Sequence, residues 1–257
     1  MQYSAKTNIG LVRTSNQDSF STLDVTPDVA FFLVCDGMGG ANGGEEASRI
    51  ACETATASIR RDLEVLLGDN DLDVDKYMPK ILTYAAREAN LAVYDRAQED
   101  KTLTGMGTTF VGAVVYGGML YAVNVGDSRL YLVNENDAVQ VTRDHSYVQY
   151  LVDLGVMTSS QAAVSSKRNI ITRAIGTDET VEPDTYAVSL DSGSYILLCS
   201  DGLSGMVDRA EITRIINAGG TLDEKTDALI SAANGAGGRD NITVILAARE
   251  ENTKTEL

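Results

Sequence analysis

Four short apolar runs in this sequence deliver an aspartate to a polar or glycine-rich break. Phe31-Phe32-Leu33-Val34-Cys35 leads into Asp36-Gly37-Met38-Gly39-Gly40, and Tyr195-Ile196-Leu197-Leu198-Cys199 leads into Ser200-Asp201-Gly202. Leu120 to Val125 ends in Gly126-Asp127-Ser128-Arg129, and the run from Ile242 to Ala248 follows Arg239-Asp240-Asn241. Such runs are too short for helices and read as buried strands, with glycines that let backbone come close to a ligand. Aspartate-glycine is also an ordinary turn pair. Taken singly, Asp127 could close a hairpin and Asp240 could cap a turn beside Asn241. Taken together, the near-identical contexts of Asp36 and Asp201 point to one acidic cluster drawn from the whole chain. Hard oxygen donors of this kind suit magnesium or manganese, and one histidine with no Cys-x-x-Cys pair makes zinc a poor candidate. A further polar run, Arg13-Thr14-Ser15-Asn16-Gln17-Asp18, reads either as a surface loop or as a phosphate grip, with Arg13 as a planar donor and Asp18 as a fifth carboxylate.

The elements that must position these residues follow from periodicity. Residues 2–10 are strand-like. Glu45 and Glu46 mark a helix start, and Ala47, Ala51, Ala55, Ile59 and Leu63 give that helix one apolar face to about residue 67. A second helix is expected from about Asp75 to Glu99, with a stripe of Ile81, Ala85, Ala89 and Ala92. From Met106 to Gln140 short runs separated by turn residues predict a meander of adjacent antiparallel strands. Short helices are expected at Tyr147 to Leu154 and Ser159 to Val164, then a polar excursion over 165–182. Two strands, two helices (about Asp208 to Asn217 and Leu222 to Asn234) and a last strand complete the pattern. The expected architecture is α+β: a central antiparallel β-sandwich flanked by α-helices on both faces, because strands covered on both sides need not alternate. One domain over residues 1–250 is expected, with residues 251–257 as a tail.

The chain has 257 residues and a formal net charge of -16, which disfavours a nucleic-acid partner. No run is long enough to cross a bilayer, so no membrane partner is expected. Cys35, Cys52 and Cys199 are odd in number and read as free thiols of a reducing cytoplasm.

Arg13-Thr14-Ser15-Asn16-Gln17-Asp18, Asp36-Gly37-Met38-Gly39-Gly40, Gly107-Thr108-Thr109, Gly126-Asp127-Ser128-Arg129, Ser200-Asp201-Gly202-Leu203 and Gly238-Arg239-Asp240-Asn241 occur in one order. That order and spacing resemble the metal-dependent (type 2C, PPM) protein serine/threonine phosphatases, compact bacterial type, from about residue 2 to 248. The resemblance implies a site for two divalent cations, Mn2+ or Mg2+, with a third, weaker one. Asp36 would bridge two ions, the Gly37 carbonyl would bind one, and Asp201 and Asp240 would complete the pair. Asp18 would act through metal-bound water, Asp127 would serve the third ion, and Arg13 would hold the substrate phosphate. Catalysis would rest on Arg13, Asp36 and Asp201, with a water between two cations attacking phosphoserine or phosphothreonine. Thr108, Ser128 and Arg129 would support the loops, and a flap at about 155–180 would meet the phosphoprotein.

The resemblance also implies phosphorylated proteins as partners, among them a serine/threonine kinase and its substrates, and a monomer. One position departs from it. Bacterial relatives commonly carry a histidine just after the Asp-Gly-Met-Gly-Gly run, where this chain has Ala41; its only histidine, His145, is expected in a structural hydrogen-bonding role. Two other functions compete with protein dephosphorylation: a small-molecule phosphoesterase on the same fold, and a non-catalytic phosphoprotein-binding module.

Overall fold

The computed structural model describes residues 1–191 and 193–249, apart from the side chains of residues 41 and 42. The expected tail at 251–257 lies outside the described residues. Among the described residues, eleven strands form two antiparallel sheets. The first has the order β1 (Gln2–Asn8), β11 (Ile242–Ala248), β10 (Tyr195–Cys199), β7 (Arg129–Val133), β8 (Ala138–Gln140). The second has the order β2 (Asp18–Thr26), β3 (Val29–Met38), β5 (Phe110–Tyr116), β6 (Met119–Val125), β9 (Asp184–Ser189), with the two-residue β4 (Gly107–Thr108) paired to the end of β3.

The continuous apolar runs are explained by cover on both faces. Phe31, Leu33 and Cys35 of β3 face α1 (Gly40–Gly68) and α2 (Val74–Glu99), while Phe32 and Val34 face the other sheet. In β10 the division repeats: Leu197 and Cys199 face α6 (Arg209–Asn217) and α7 (Leu222–Gly235), and Ile196 and Leu198 face inward. Four layers result, helices outside and sheets inside, as the apolar patterning predicts. The α1 stripe from Ala47 to Leu63 is buried throughout. The α2 stripe is centred differently, on Met78, Leu82, Ala86 and Val93, with Ile81 and Ala92 at its edge.

Four expectations need correction. Asp36 does not end its strand: β3 continues through Met38, because Gly37 and Met38 find partners in Thr108 and Gly107. The helix α1 starts at Gly40, ahead of Glu45 and Glu46, and has no acidic residue in its first turn. Glycine makes that early start possible, since a Cβ on Gly37 would lie 2.0 Å from the Gly44 carbonyl oxygen. The segment from Met106 to Gln140 is not one meander. β5 and β6 pair in the second sheet, whereas β7 and β8 belong to the first, so Gly126-Asp127-Ser128 is a crossing between sheets. Finally, Asp201, expected as a carboxylate at a strand end, opens a one-turn helix, α5 (Asp201–Ser204), just after β10. The remaining short helices are α3 (Tyr147–Asp153) and α4 (Ser159–Ala163). No helix among the described residues is long and apolar enough to cross a membrane.

Candidate active site

The sheet crossings bring chain from both sheets to one end of the sandwich. Antiparallel pairing sets Asp18, the first residue of β2, directly across from Asp36 in β3. Asp127 sits on the crossing from β6 to β7. Asp201 follows β10 and Asp240 precedes β11, neighbours in the first sheet. The close approach of α5 to that second turn again requires glycine, because a Cβ on Gly202 would lie 1.9 Å from the Asn241 carbonyl oxygen.

These residues surround a cavity of about 440 Å³. Asp36, Asp127, Asp201 and Asp240 line it, together with Arg13, Gly37, Asn169 and Ile171. Asp18 stands behind this layer, buried. Its Oδ2 accepts hydrogen bonds from Ser200 Oγ (2.8 Å) and Thr243 Oγ1 (2.7 Å), and its Oδ1 is buried with no protein partner. A buried acceptor left unpaired costs about 1–3 kcal/mol, more when charged. That orphaned oxygen suits a water or a cation.

The electrostatics agree. Burial is the main influence on Asp18, Asp36, Asp127 and Asp201 and favours the protonated form, and neighbouring carboxylates add to it. Asp18 is pushed up to about 6 and Asp127 to about 7, the latter against the opposing pull of Arg129. Asp36 rises well above the carboxylate range through burial and the charges of Asp18, Asp201, Asp127 and Asp240. Its surface is only half-buried because one side faces the cavity, but protein encloses the rest. Asp201 is also raised, by burial and then by Asp240, with a hydrogen bond from Asp36 working the other way. The cluster therefore holds more negative charge than its side chains offset.

Arg13 is the guanidinium of the cavity and donates from Nη2 to Asp240 Oδ2 at 2.7 Å. Among the described residues, no group of three or more His, Cys, Asp or Glu side chains is placed to hold a metal ion by itself. Hard cations seldom need such a cage: magnesium keeps several waters and takes one or two carboxylates. The donor set, four carboxylates and Gly37 lining the cavity with Asp18 buried behind them, can supply one or two carboxylates to each ion and leave its other positions to water.

Several supporting residues were not singled out by sequence reasoning. The hydroxyl that reaches the Asp36 strand belongs to Thr109, where a supporting role had been expected of Thr108. Thr109 Oγ1 accepts the Asp36 N–H (2.9 Å) and pairs with Ser128 Oγ (2.7 Å), tying β3 to the Asp127 crossing. Asn241 pins the Arg13 loop: its side chain accepts the Gln17 N–H (2.8 Å) and donates to the carbonyls of Ile9 (3.0 Å) and Ser15 (2.9 Å). Arg129 forks onto Asp144 through Nε and Nη2, as a loop support should. His145 does not line the cavity. Its Nδ1 accepts the Gly126 N–H (3.1 Å), which places the ring proton on Nε2, facing Asp184 Oδ2 at 3.2 Å. Burial lowers its pKa, with Asp184 opposing. The side chain of Ala41 lies outside the described residues.

Two layers of antiparallel sheet between helices, with paired acids at one end, define a class, and comparison with known proteins names it. The family model for protein phosphatase 2C matches residues 12–246. The serine/threonine phosphatase stp of Listeria monocytogenes is 34% identical over 249 residues, covering 97% of this chain and 96% of that protein. The serine/threonine phosphatase Stp1 of Staphylococcus aureus superposes with a TM-score of 0.87 at 35% identity, over 97% of this chain and 95% of that one. The catalytic domain of the serine/threonine protein phosphatase PstP, solved in complex with 2 manganese ions, gives 0.80 at 33% identity, over 95% and 96%. The chain belongs to the protein phosphatase 2C family.

Proposed function

We propose that this protein removes phosphate from phosphoserine and phosphothreonine of protein substrates at the cavity between Arg13 and the carboxylates of Asp36, Asp201 and Asp240. It is a protein serine/threonine phosphatase, and divalent-metal dependence is general to its family. The observation that carries the site assignment is the convergence of carboxylates from both sheets on one cavity with one guanidinium facing them.

Asp36, Asp201, Asp240 and the Gly37 carbonyl would hold two cations, Mn2+ or Mg2+. Asp18 would reach one of them through water, and Asp127 with Asp201 would hold a third. When bound, such ions supply Lewis acidity and lower the pKa of water, the chemistry that phosphate-ester hydrolysis requires. Arg13 binds and orients the phosphate with two parallel N–H groups. Thr109 and Ser128 keep Asp36 and Asp127 in a fixed relation, and Asn241 keeps Arg13 over the cavity. We assign the chain to a single domain spanning residues 1–250, acting as a monomer in the cytoplasm on phosphoproteins that include a serine/threonine kinase. Three free, buried cysteines support a reducing compartment.

The test is a substrate panel with manganese present: a phosphothreonine peptide, a phosphotyrosine peptide and a nucleoside monophosphate. Preferred release from phosphothreonine is expected. Faster release from the nucleotide would assign the cavity to small-molecule esters.

A further inference from the structure

Twelve large hydrophobic side chains are exposed among the described residues, and eight of them fall in two segments, three within 9–12 and five within 150–170. Single exposed apolar residues need no explanation, but a concentration of them marks a binding surface. Each segment has an exposed apolar residue next in sequence to a residue that lines the catalytic cavity. Val12, 64% exposed, directly precedes Arg13 in the cavity wall, and Leu11 beside it is 69% exposed. Ile170, 50% exposed, lies between Asn169 and Ile171, which both line the cavity, and Val164 earlier in the same segment is 82% exposed.

Neither segment is loosely held. The Leu11 N–H donates to the Gly238 carbonyl at 2.7 Å, and the Tyr147 N–H donates to the Ile170 carbonyl at 2.8 Å. Main-chain bonds therefore fix the backbone while the apolar side chains point to solvent. What can cover them follows from their place: whatever enters the cavity as a phosphorylated side chain brings polypeptide to its rim. An extended peptide advances about 3.3 Å per residue, so positions two or three away from the phosphoresidue reach beyond the cavity. The chain's charge of -16 and the acids of the cavity disfavour acidic flanks.

We propose that segments 9–12 and 164–170 form an apolar mouth that binds aliphatic or aromatic side chains on either side of the phosphoserine or phosphothreonine of a protein substrate. This rests on the reading of the cavity as a protein phosphatase site and adds the sequence class of its substrates. Partial burial of two such side chains should raise kcat/KM about tenfold, mainly through KM.

The experiment uses manganese-loaded protein and two phosphothreonine peptides, one flanked by leucines and one by serines, with nitrophenyl phosphate as a substrate without flanks. Wild type is expected to favour the leucine peptide about tenfold. The double variant Val12→Ser/Ile170→Ser should lose that preference and keep nitrophenyl phosphate turnover, which also reports that it folds. Val65→Ser, a change on the outer face of α1, should keep the preference. Equal rates on both peptides in wild type overturn the proposal. So does a double variant that retains the preference, including one that shifts from dimer to monomer and thereby gives the surface to a second copy. If nitrophenyl phosphate is hydrolysed and neither peptide is, the protein-phosphatase reading falls first and this proposal with it.

Discussion

The Arg13 guanidinium and the Asp240 carboxylate form an ion pair at 2.7 Å across the mouth of the cavity, with Arg13 half-exposed. Exposed pairs contribute only about 0.2–1 kcal/mol. A phosphate dianion, with two oxygens to offer the same fork, is the stronger partner. Arg13 is thus held over the cavity by a contact that substrate can replace.

Arg13→Ala should therefore raise KM for phosphopeptide by about ten- to a hundredfold, the worth of a charge-assisted hydrogen bond, with a smaller fall in kcat. Manganese affinity, measured by calorimetry, should not fall. Unchanged kinetics would return Arg13 to an ordinary surface loop.

Asp201 and Asp127 should separate by severity. Asp201 feels Asp240 and Asp36 directly, whereas Asp127 sits on the crossing between the sheets. Asp201→Asn should abolish turnover. Asp127→Ala should reduce it and shift the manganese concentration required for half-maximal rate. Equal loss in both variants would contradict the proposed division of labour.

Much of this site was legible in the sequence, and the exceptions share a cause. Asp36 and Asp201 announce themselves because an apolar run that stops at Asp-Gly is a local pattern. Thr109 and Asn241 do not, because a neutral side chain acquires its role only from the distant N–H or carbonyl that reaches it. The switch of sheets at Gly126-Asp127-Ser128 was hidden for a similar reason: β6 and β7 look like hairpin partners by spacing, and only the competing pairing of β7 with β10 separates them. The early start of α1 depends on the fit of Gly44 against Gly37, a contact that no periodicity reports.

Thr109→Val tests one of these unannounced supports. Removing the hydroxyl leaves the Asp36 N–H without its partner and cuts the link to Ser128. Activity or metal affinity should drop about 10–100-fold, as when outer partners of metal ligands are changed. Thr109→Ser should restore most of it. Full activity in Thr109→Val would remove the residue from the supporting set.

Stability in chelator should fall as pH rises. Asp18 is held at about 6 in the fold against 3.8 for a free side chain, so the folded state keeps its proton longer than the unfolded state does. The contribution is fully present below about pH 4 and is lost as pH rises through about 6, a change on the order of 3 kcal/mol. Asp127, held at about 7, extends the decline. In melting experiments with chelator, Asp18→Asn should match wild type near pH 4 and exceed it by several degrees at pH 7. A gap that shrinks with rising pH would show the sign to be wrong.

Whether hydrolysis depends on cations gathered by Asp36 can be read from phosphate release from a phosphothreonine peptide during a manganese titration of wild type and Asp36→Asn. Wild type should be inactive in excess chelator and gain activity with added manganese, and Asp36→Asn should stay at background throughout. Turnover by wild type in excess chelator, or by Asp36→Asn at wild-type rates, would contradict the account.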